Sequence, residues 1–254
     1  MSEQTTLTSA RWELLNGDHD LSPETAEIAL NLLNERIGYP PPRLGLTESD
    51  HGEAYDLTGT IALVVGHGRP VDQGTTAHDG TVEEVWNRAL VQAVAKRIRA
   101  LAPGLNVVRL LDYEGSSYGR AMSWVAGKLD AIPGLLFGVE FHFNAYNGSA
   151  EGFEYLYWHK SFKGKRLASI FQDRHAKKFP RQENRGVEPL GDQAHERGLL
   201  FCKLPKAPTI IAEPGFGDNP EDAEHFLHGA GRERLIEHYA QSCIAAAAEF
   251  DTAI

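Results

Sequence analysis

The stretch Ile61-Ala62-Leu63-Val64-Val65-Gly66-His67-Gly68-Arg69-Pro70-Val71-Asp72-Gln73-Gly74 decides the fold. Five apolar residues in succession, Ile61 to Val65, read as a strand buried on both faces, and such strands belong to mostly parallel sheets. The run stops at Gly66. His67 then sits on a glycine-rich turn just past the carboxyl end of the strand, where open α/β sheets keep their ligands. His67 is accordingly a candidate metal ligand.

Downstream of Thr60 the pattern alternates between strand and helix in the manner of a βαβ protein. The expected fold is α/β: a mostly parallel twisted sheet with helices on both faces. Trp86, Leu90, Val94, Ile98 and Leu101 recur every three or four residues and predict a helix over residues 82–101, closed by Pro103-Gly104. Residues 106–111 and 135–145 read as strands, with a helix over 118–129 between them. Residues 152–158 alternate as a further strand, 161–179 read as a helix, and 208–212 form a short buried strand running into Glu213. Leu235, Ile236, Tyr239, Cys243, Ile244 and Ala247 mark the core face of a closing helix over 232–250. The polar stretch 184–204, punctuated by Gly186, Pro189 and Gly191, reads as a loop over a site.

Upstream of Thr60 the chain changes character. Ser22-Pro23-Glu24 opens a helix with a serine cap, a proline at the first helical position and an acid in the first turn. Ala26, Ala29, Leu30, Leu33 and Ile37 form one apolar stripe, and Gly38 stops it. Tyr39-Pro40-Pro41-Pro42 cannot continue a helix and begins a connector. The expected partition is a helical N-terminal extension with its proline-containing connector over residues 1–57, and a main domain over 58–254.

Composition narrows the partners. Hydrophobic content of 42% with 24% charged residues is that of a folded globular protein. A net charge of -10 argues against nucleic acid and anionic membrane surfaces, because both are bound by lysine and arginine displacing counterions. Cys202 and Cys243 are the only cysteines, so neither a disulfide framework nor a cysteine zinc site is indicated. The first residues carry no basic n-region and no apolar h-region, and no stretch approaches the ~18 apolar residues of a membrane span. The expectation is synthesis in the cytosol without a signal peptide.

Three further residues stand at element ends. Glu83 shares a helix face with Asn87, Leu90 and Val94, so it points inward from a first turn whose free amides favour negative charge. Glu84 is then the solvated first-turn acid. Strand alternation puts Glu140, His142 and Asn144 on one face and Val139, Phe141 and Phe143 on the other. Hydrogen-bonding neighbours of that kind fix an imidazole in one tautomer. Glu213 follows directly on a buried strand, where a carboxylate is costly unless it is paired, near a cation or functional. Singly, these are an ordinary acid, a structural histidine and a loop acid; together they point to one site.

The ordered set Gly66-His67-Gly68, Asp72-Gln73-Gly74, Glu83 with Asn87, His142-Phe143-Asn144-Ala145, Gly152-Phe153-Glu154, Asn184-Arg185-Gly186-Val187 and Glu213-Pro214-Gly215-Phe216-Gly217-Asp218-Asn219 resembles the zinc-dependent N-acetylmuramoyl-L-alanine amidase family. This is the amidase_3 type of bacterial autolysins and phage endolysins, and the resemblance spans residues from about 58 to 252. It implies one zinc ion held by His67, Glu83 and His142, with Glu213 as the catalytic carboxylate. Two imidazoles and one carboxylate leave an open position on tetrahedral zinc, the arrangement of a hydrolytic site. The implied reaction cleaves the amide between N-acetylmuramic acid and L-alanine in peptidoglycan or a muropeptide, and 58–254 becomes the catalytic domain. Arg185 and Arg120 are candidates to meet the carboxylates of the stem peptide by paired hydrogen bonds, with Asn144 a further substrate contact. Scaffold roles for both arginines stay open.

Three departures from the family pattern bear on the site. Glu140 stands where a small residue, often serine, is usual; Arg69-Pro70 replaces another glycine; Pro214 directly follows the catalytic glutamate. Two rival readings are weighed. Another zinc amidohydrolase or carboxypeptidase acting on small peptides is disfavoured because no His-x-x-Glu pair follows the first strand. A catalytically silent peptidoglycan-binding protein has no use for Glu213 beside a full ligand set. The chain is further expected to act as a monomer, on the cell wall or periplasmic peptidoglycan when released as a lysin.

Overall fold

The computed structural model describes residues 55–69, 72–193 and 198–251. The helix expected over residues 22–38 and the connector after it lie outside them. The described elements are β1 (Thr60–Val65), α1 (Glu83–Leu101), β2 (Asn106–Leu110), α2 (Tyr118–Asp130), β3 (Leu135–Phe141) and β4 (Phe153–Trp158), followed by α3 (Phe162–Lys178), β5 (Asn184–Leu190), α4 (Leu199–Lys203), β6 (Thr209–Glu213), α5 (Pro220–Ala223) and α6 (Gly229–Asp251).

The six strands form one sheet in the order β2-β1-β3-β6-β4-β5. Strands β2, β1, β3 and β6 run parallel, and β4 runs antiparallel to β6 with β5 parallel to β4. The sheet is therefore mostly parallel, as the apolar run Ile61 to Val65 implied. All five of those residues are fully buried. Each large one contributes ~1.5–3 kcal/mol by leaving water.

Both faces of the sheet are covered. Ala62 and Val64 of β1, Leu156 of β4 and Ile211 of β6 pack with Met122 and Val125 of α2 and Phe201 of α4. On the other face Phe137 and Phe141 of β3 meet Phe250 and Tyr239 of α6 edge to face. Tyr155 of β4 meets Phe171 of α3. Helix α6 is tied to its neighbours by Arg97 of α1 with Glu237 and by Arg166 of α3 with Glu249. Among the described residues no helix is long and apolar enough to cross a membrane.

Two expectations are corrected. The stretch 184–204 holds β5 and α4 rather than a loop alone. Strand β5 is the sheet's edge, mostly exposed or half-buried, so it needs no apolar run and tolerates Gly186 and Pro189. The strand expected over 135–145 ends at Phe141, whose carbonyl takes the last bond from the β1 side, from Gly66 N. Beyond it the chain keeps partners on one side only: His142 N donates to Ala212 O and Asn144 N to Gly215 O.

Strand direction positions the site. The four parallel strands end at one edge of the sheet, and β4 and β5, running the other way, begin there. That edge thus receives the residues after β1 and β3, the last residue of β6 and the first residues of β4 and β5. Because β2 and β3 flank β1 on opposite sides, the strand order reverses between β1 and β3, the switch point where such sheets open a crevice.

Candidate metal centre

His67 and His142 leave the two strands of that switch point, and Glu83 is the first residue of α1. Nε2 of His67 lies 3.2 Å from Glu83 Oε2, and Nδ1 of His142 lies 2.9 Å from Glu83 Oε1. The imidazole centroids are 4.8 Å apart. One donor atom from each of the three residues lies within 4.8 Å of the others, so a single ion can be shared among them. Glu83 is held in place by amides as well: Thr75 N donates to Oε2 at 2.9 Å and Phe143 N to Oε1 at 3.2 Å.

Each imidazole turns its other nitrogen to a carboxylate of its own. His67 Nδ1 donates to Asp72 Oδ1 at 2.8 Å, and Arg69 braces Asp72 from the far side at 3.0 Å. Arg69 therefore supports the carboxylate behind His67. His142 Nε2 lies 3.4 Å from Glu140 Oε2. A carboxylate behind a histidine fixes the ring's tautomer and raises its basicity as a ligand.

The electrostatics suit a cation. Burial alone would push the Glu83 carboxyl up, but hydrogen bonds from the His142 and His67 rings carry it far below the usual carboxylate range. Burial would lower His142, yet Glu140 and then Glu83 raise it well above an ordinary imidazole. His67 is raised too, its burial outweighed by Glu83 and Asp72. An ionised carboxylate between two rings drawn toward positive charge is a donor set that a divalent ion fits, replacing the ring protons.

The local backbone makes room for these contacts. A Cβ on Gly66 would lie 2.5 Å from His142 Nε2, and one on Gly74 would lie 2.5 Å from Glu83 Oε2. His67 is the sole non-glycine among the described residues with a positive φ, at 61°. That left-handed turn costs roughly 1–2 kcal/mol. The start of α1 has no side-chain cap; its first amides donate to carbonyls of the same turn, Glu83 N to Thr75 O and Glu84 N to Gln73 O. Glu83 is buried as expected, and Asn87, one turn on, donates to Gly66 O at 3.3 Å. Glu84 takes the surface role, pairing with Arg88.

Glu213, last residue of β6 and 8% exposed, lines the same cavity of about 700 Å³ as His67, Glu83 and His142. An adjoining hollow of about 530 Å³ shares Asn144 and Ala145 with it and holds Arg185, Tyr146 and Phe216. There Asn144 Nδ2 donates to Glu154 Oε1 at 2.9 Å and Arg185 Nε to Glu154 Oε2 at 3.2 Å. The Arg185 guanidinium also lies 5.2 Å from the Phe216 ring. Glu154 pairs with Glu213 across the antiparallel β4–β6 register, which is how a residue of the hollow comes beside the cavity. The structure thus brings His67, Glu83, His142, Glu213, Asn144 and Arg185 together. It does not bring Arg120: that side chain is exposed, bonds Ser116 at 3.2 Å and lines neither space. Arg120 sits in the first turn of α2, whose inward face is given to Ala121 and Met122. Tyr113, missed by sequence reasoning, also lines the cavity; an isolated tyrosine after a strand carries no pattern that marks it.

The family profile described as N-acetylmuramoyl-L-alanine amidase (Amidase_3) matches residues 61–245. A search of curated proteins found no match. Among solved structures, the chain is similar to the N-acetylmuramoyl-L-alanine amidase from Clostridium difficile 630, at 19% identity and a TM-score of 0.62 over 74% of this chain and 96% of that one. It is also similar to the amidase AmiC2 of Nostoc punctiforme, at 18% identity and a TM-score of 0.58 over 76% and 97% of the two chains. Ami1 from Mycobacterium smegmatis gives 18% identity and a TM-score of 0.58 over 77% and 100%. At these identities the likeness is one of fold, and the family rests on the profile match over most of the chain. The chain belongs to the N-acetylmuramoyl-L-alanine amidase family.

Proposed function

We propose that this amidase cleaves the bond between the lactyl group of N-acetylmuramic acid and L-alanine of the stem peptide with one zinc ion held by His67, Glu83 and His142. The convergence of those three donors in the cavity that Glu213 lines is the observation that carries the reading. When bound, zinc lowers the pKa of a coordinated water to roughly 7 and polarises the scissile carbonyl. Asp72 keeps His67 in the tautomer that presents Nε2, and Glu83 stays ionised between the rings. Glu213 accepts the proton of the attacking water and delivers it to the leaving amine, so the carbon–nitrogen bond breaks to a lactyl carboxylate and a free L-alanine amino terminus. Such proton transfer contributes typically 10²- to 10⁴-fold.

Peptidoglycan or a muropeptide is the substrate, with Arg185 and Asn144 meeting the stem peptide from the adjoining hollow. A site completed within one chain supports action as a monomer, and the net charge of -10 supports a partner other than nucleic acid. Residues 58–254 are taken as the catalytic domain, in keeping with the profile match over 61–245.

Mass spectrometry of a muropeptide digest tests the reading. It should reveal free stem peptide beginning with L-alanine, abolished by chelation or by Glu213→Gln. Release of D-alanine or of reducing sugar ends would refute it.

A further inference from the structure

Glu140 lies two positions before the second histidine, on the same face of the strand, and it is 3% exposed. A carboxylate so buried is costly unless specific groups hold it. Its two oxygens are divided between two partners: Oε2 lies 3.4 Å from His142 Nε2, and Oε1 lies 2.9 Å from the hydroxyl of Tyr113.

Tyr113, 4% exposed, is itself stitched to the turn that carries the first histidine. Its amide donates to Gly68 O at 3.0 Å, and its hydroxyl also reaches Val65 O. A Cβ on Gly68 would lie 2.7 Å from Tyr113 Cε1, so the ring rests on that glycine. One tyrosine therefore joins the end of β1 to the carboxylate behind His142, linking the backbone on either side of His67 to the second histidine.

The consequence for His142 is one of direction. Glu83 Oε1 faces Nδ1 and Glu140 Oε2 faces Nε2, so the ring is gripped along the line between its two nitrogens. We propose that Glu140, anchored by Tyr113, is a positioning residue that holds His142 with Nδ1 turned to the metal and Nε2–H donated away from it. Asp72 plays the counterpart role for His67 with the two nitrogens exchanged, holding Nδ1 while Nε2 faces Glu83, and Glu140 gives the second histidine its own carboxylate on an unrelated stretch of chain. Glu140 adds no fourth ligand, because it stands on the side of the ring opposite Glu83.

The inference rests on zinc binding by His67, Glu83 and His142, and its test reads zinc affinity rather than turnover. The dissociation constant is measured by competition with a chromophoric chelator for the parent, Glu140→Ala, Glu140→Gln, Tyr113→Phe and His142→Ala, with circular dichroism reporting the fold. Loss of such a partner typically weakens metal binding ~10–100-fold, which is the expected result for Glu140→Ala with one zinc still taken up. Glu140→Gln keeps an acceptor oxygen without the charge and should lose less, under ~10-fold, and Tyr113→Phe should fall in the same range. Those two variants decide the matter if Glu140→Ala does not fold. Affinities within about twofold of the parent in the folded variants overturn the proposal, and so does loss of zinc as complete as in His142→Ala, which would make Glu140 a ligand. A parent that takes up no zinc refutes the metal site itself, whereas a zinc-binding parent with indifferent Glu140 variants refutes only this step.

Discussion

The side-chain amide of Gln182 donates to the carbonyl oxygen of Pro214 at 2.6 Å, so the Pro214–Gly215 peptide, one residue past Glu213, is held in place. The same amide donates to Asp222 Oδ1 at 2.9 Å, while Asp222 Oδ2 accepts from Phe216 N at 2.7 Å and Gly152 N at 2.9 Å. Gln182 and Asp222 are buried, and together they set the path of the chain that leaves Glu213. Gln182→Ala strips partners from buried groups whose desolvation costs roughly 1–3 kcal/mol each. Urea denaturation should register that loss, and kcat should fall while zinc stoichiometry stays at one. An unchanged kcat in the folded variant would sever Gln182 from any effect on Glu213.

Behind Gln182 the hydrogen bonds form a directed chain. His238 Nε2 donates to the Tyr155 hydroxyl at 2.9 Å, which donates to His175 Nδ1 at 2.7 Å, and His175 Nε2 donates to Gln182 Oε1 at 3.1 Å. His175 is thus a donor at Nε2 and an acceptor at Nδ1, so that ring must be neutral. Burial drives His175 down to about 3, and burial likewise drives His238 well below the ordinary imidazole range. The unfolded chain binds these protons below pH ~6.5 and the folded chain does not, so stability is lost as pH falls from there toward 3. Each ring adds at most about 1.4 kcal/mol per pH unit to the slope. His67 and His142 are raised and act in the opposite sense when metal-free. The measurement is therefore the difference in slope between the parent and His175→Gln across pH 5 to 6.5, with a shallower slope expected in the variant. Equal slopes would mean that His175 is not held neutral.

Gly66 is fixed by what lies over it. An added Cβ would meet His142 Cε1 and Nε2 and the Phe141 carbonyl oxygen, all at 2.5 Å. Gly66→Ala should displace the His142 ring, at roughly 1–3 kcal/mol of overpacking, and weaken zinc binding at least tenfold. A chelator competition showing parental affinity would contradict the contact.

The two arginines named from the sequence should separate cleanly. Arg185→Ala removes a cation from the hollow beside the candidate metal site and is expected to raise KM for muropeptides about tenfold, with a smaller change in kcat. Arg120→Ala should leave both constants within about twofold of the parent, since it alters an exposed surface group. The reverse ranking would move the stem peptide to the α2 side of the cavity.

Much of this architecture was legible because each part has a local cause. The run Ile61 to Val65 fixed a doubly buried strand, the spacing of Trp86, Leu90, Val94 and Ile98 fixed α1, and the inward face of that helix pointed to Glu83 rather than Glu84. The reversed direction of β4 was not legible, since a strand's sequence carries its faces but not the heading of its neighbour. Strand β5 escaped because an edge needs no apolar alternation, and α5 is only four residues long. Tyr113 and Gln182 act on partners 27 and 32 residues away, through single contacts that leave no period in the chain. Arg120 was named by residue type alone, and the facing of α2 is what sets it apart from the cavity.

The central claim is that His67, Glu83 and His142 share one zinc ion, and the zinc content of the purified chain measures it most directly. Parent and Glu213→Gln should each carry one zinc per chain, while His67→Ala, Glu83→Gln and His142→Ala should each fall far below that after dialysis against a mild chelator. Zinc retained in all three ligand variants, or none bound by the parent after loading, would contradict the account.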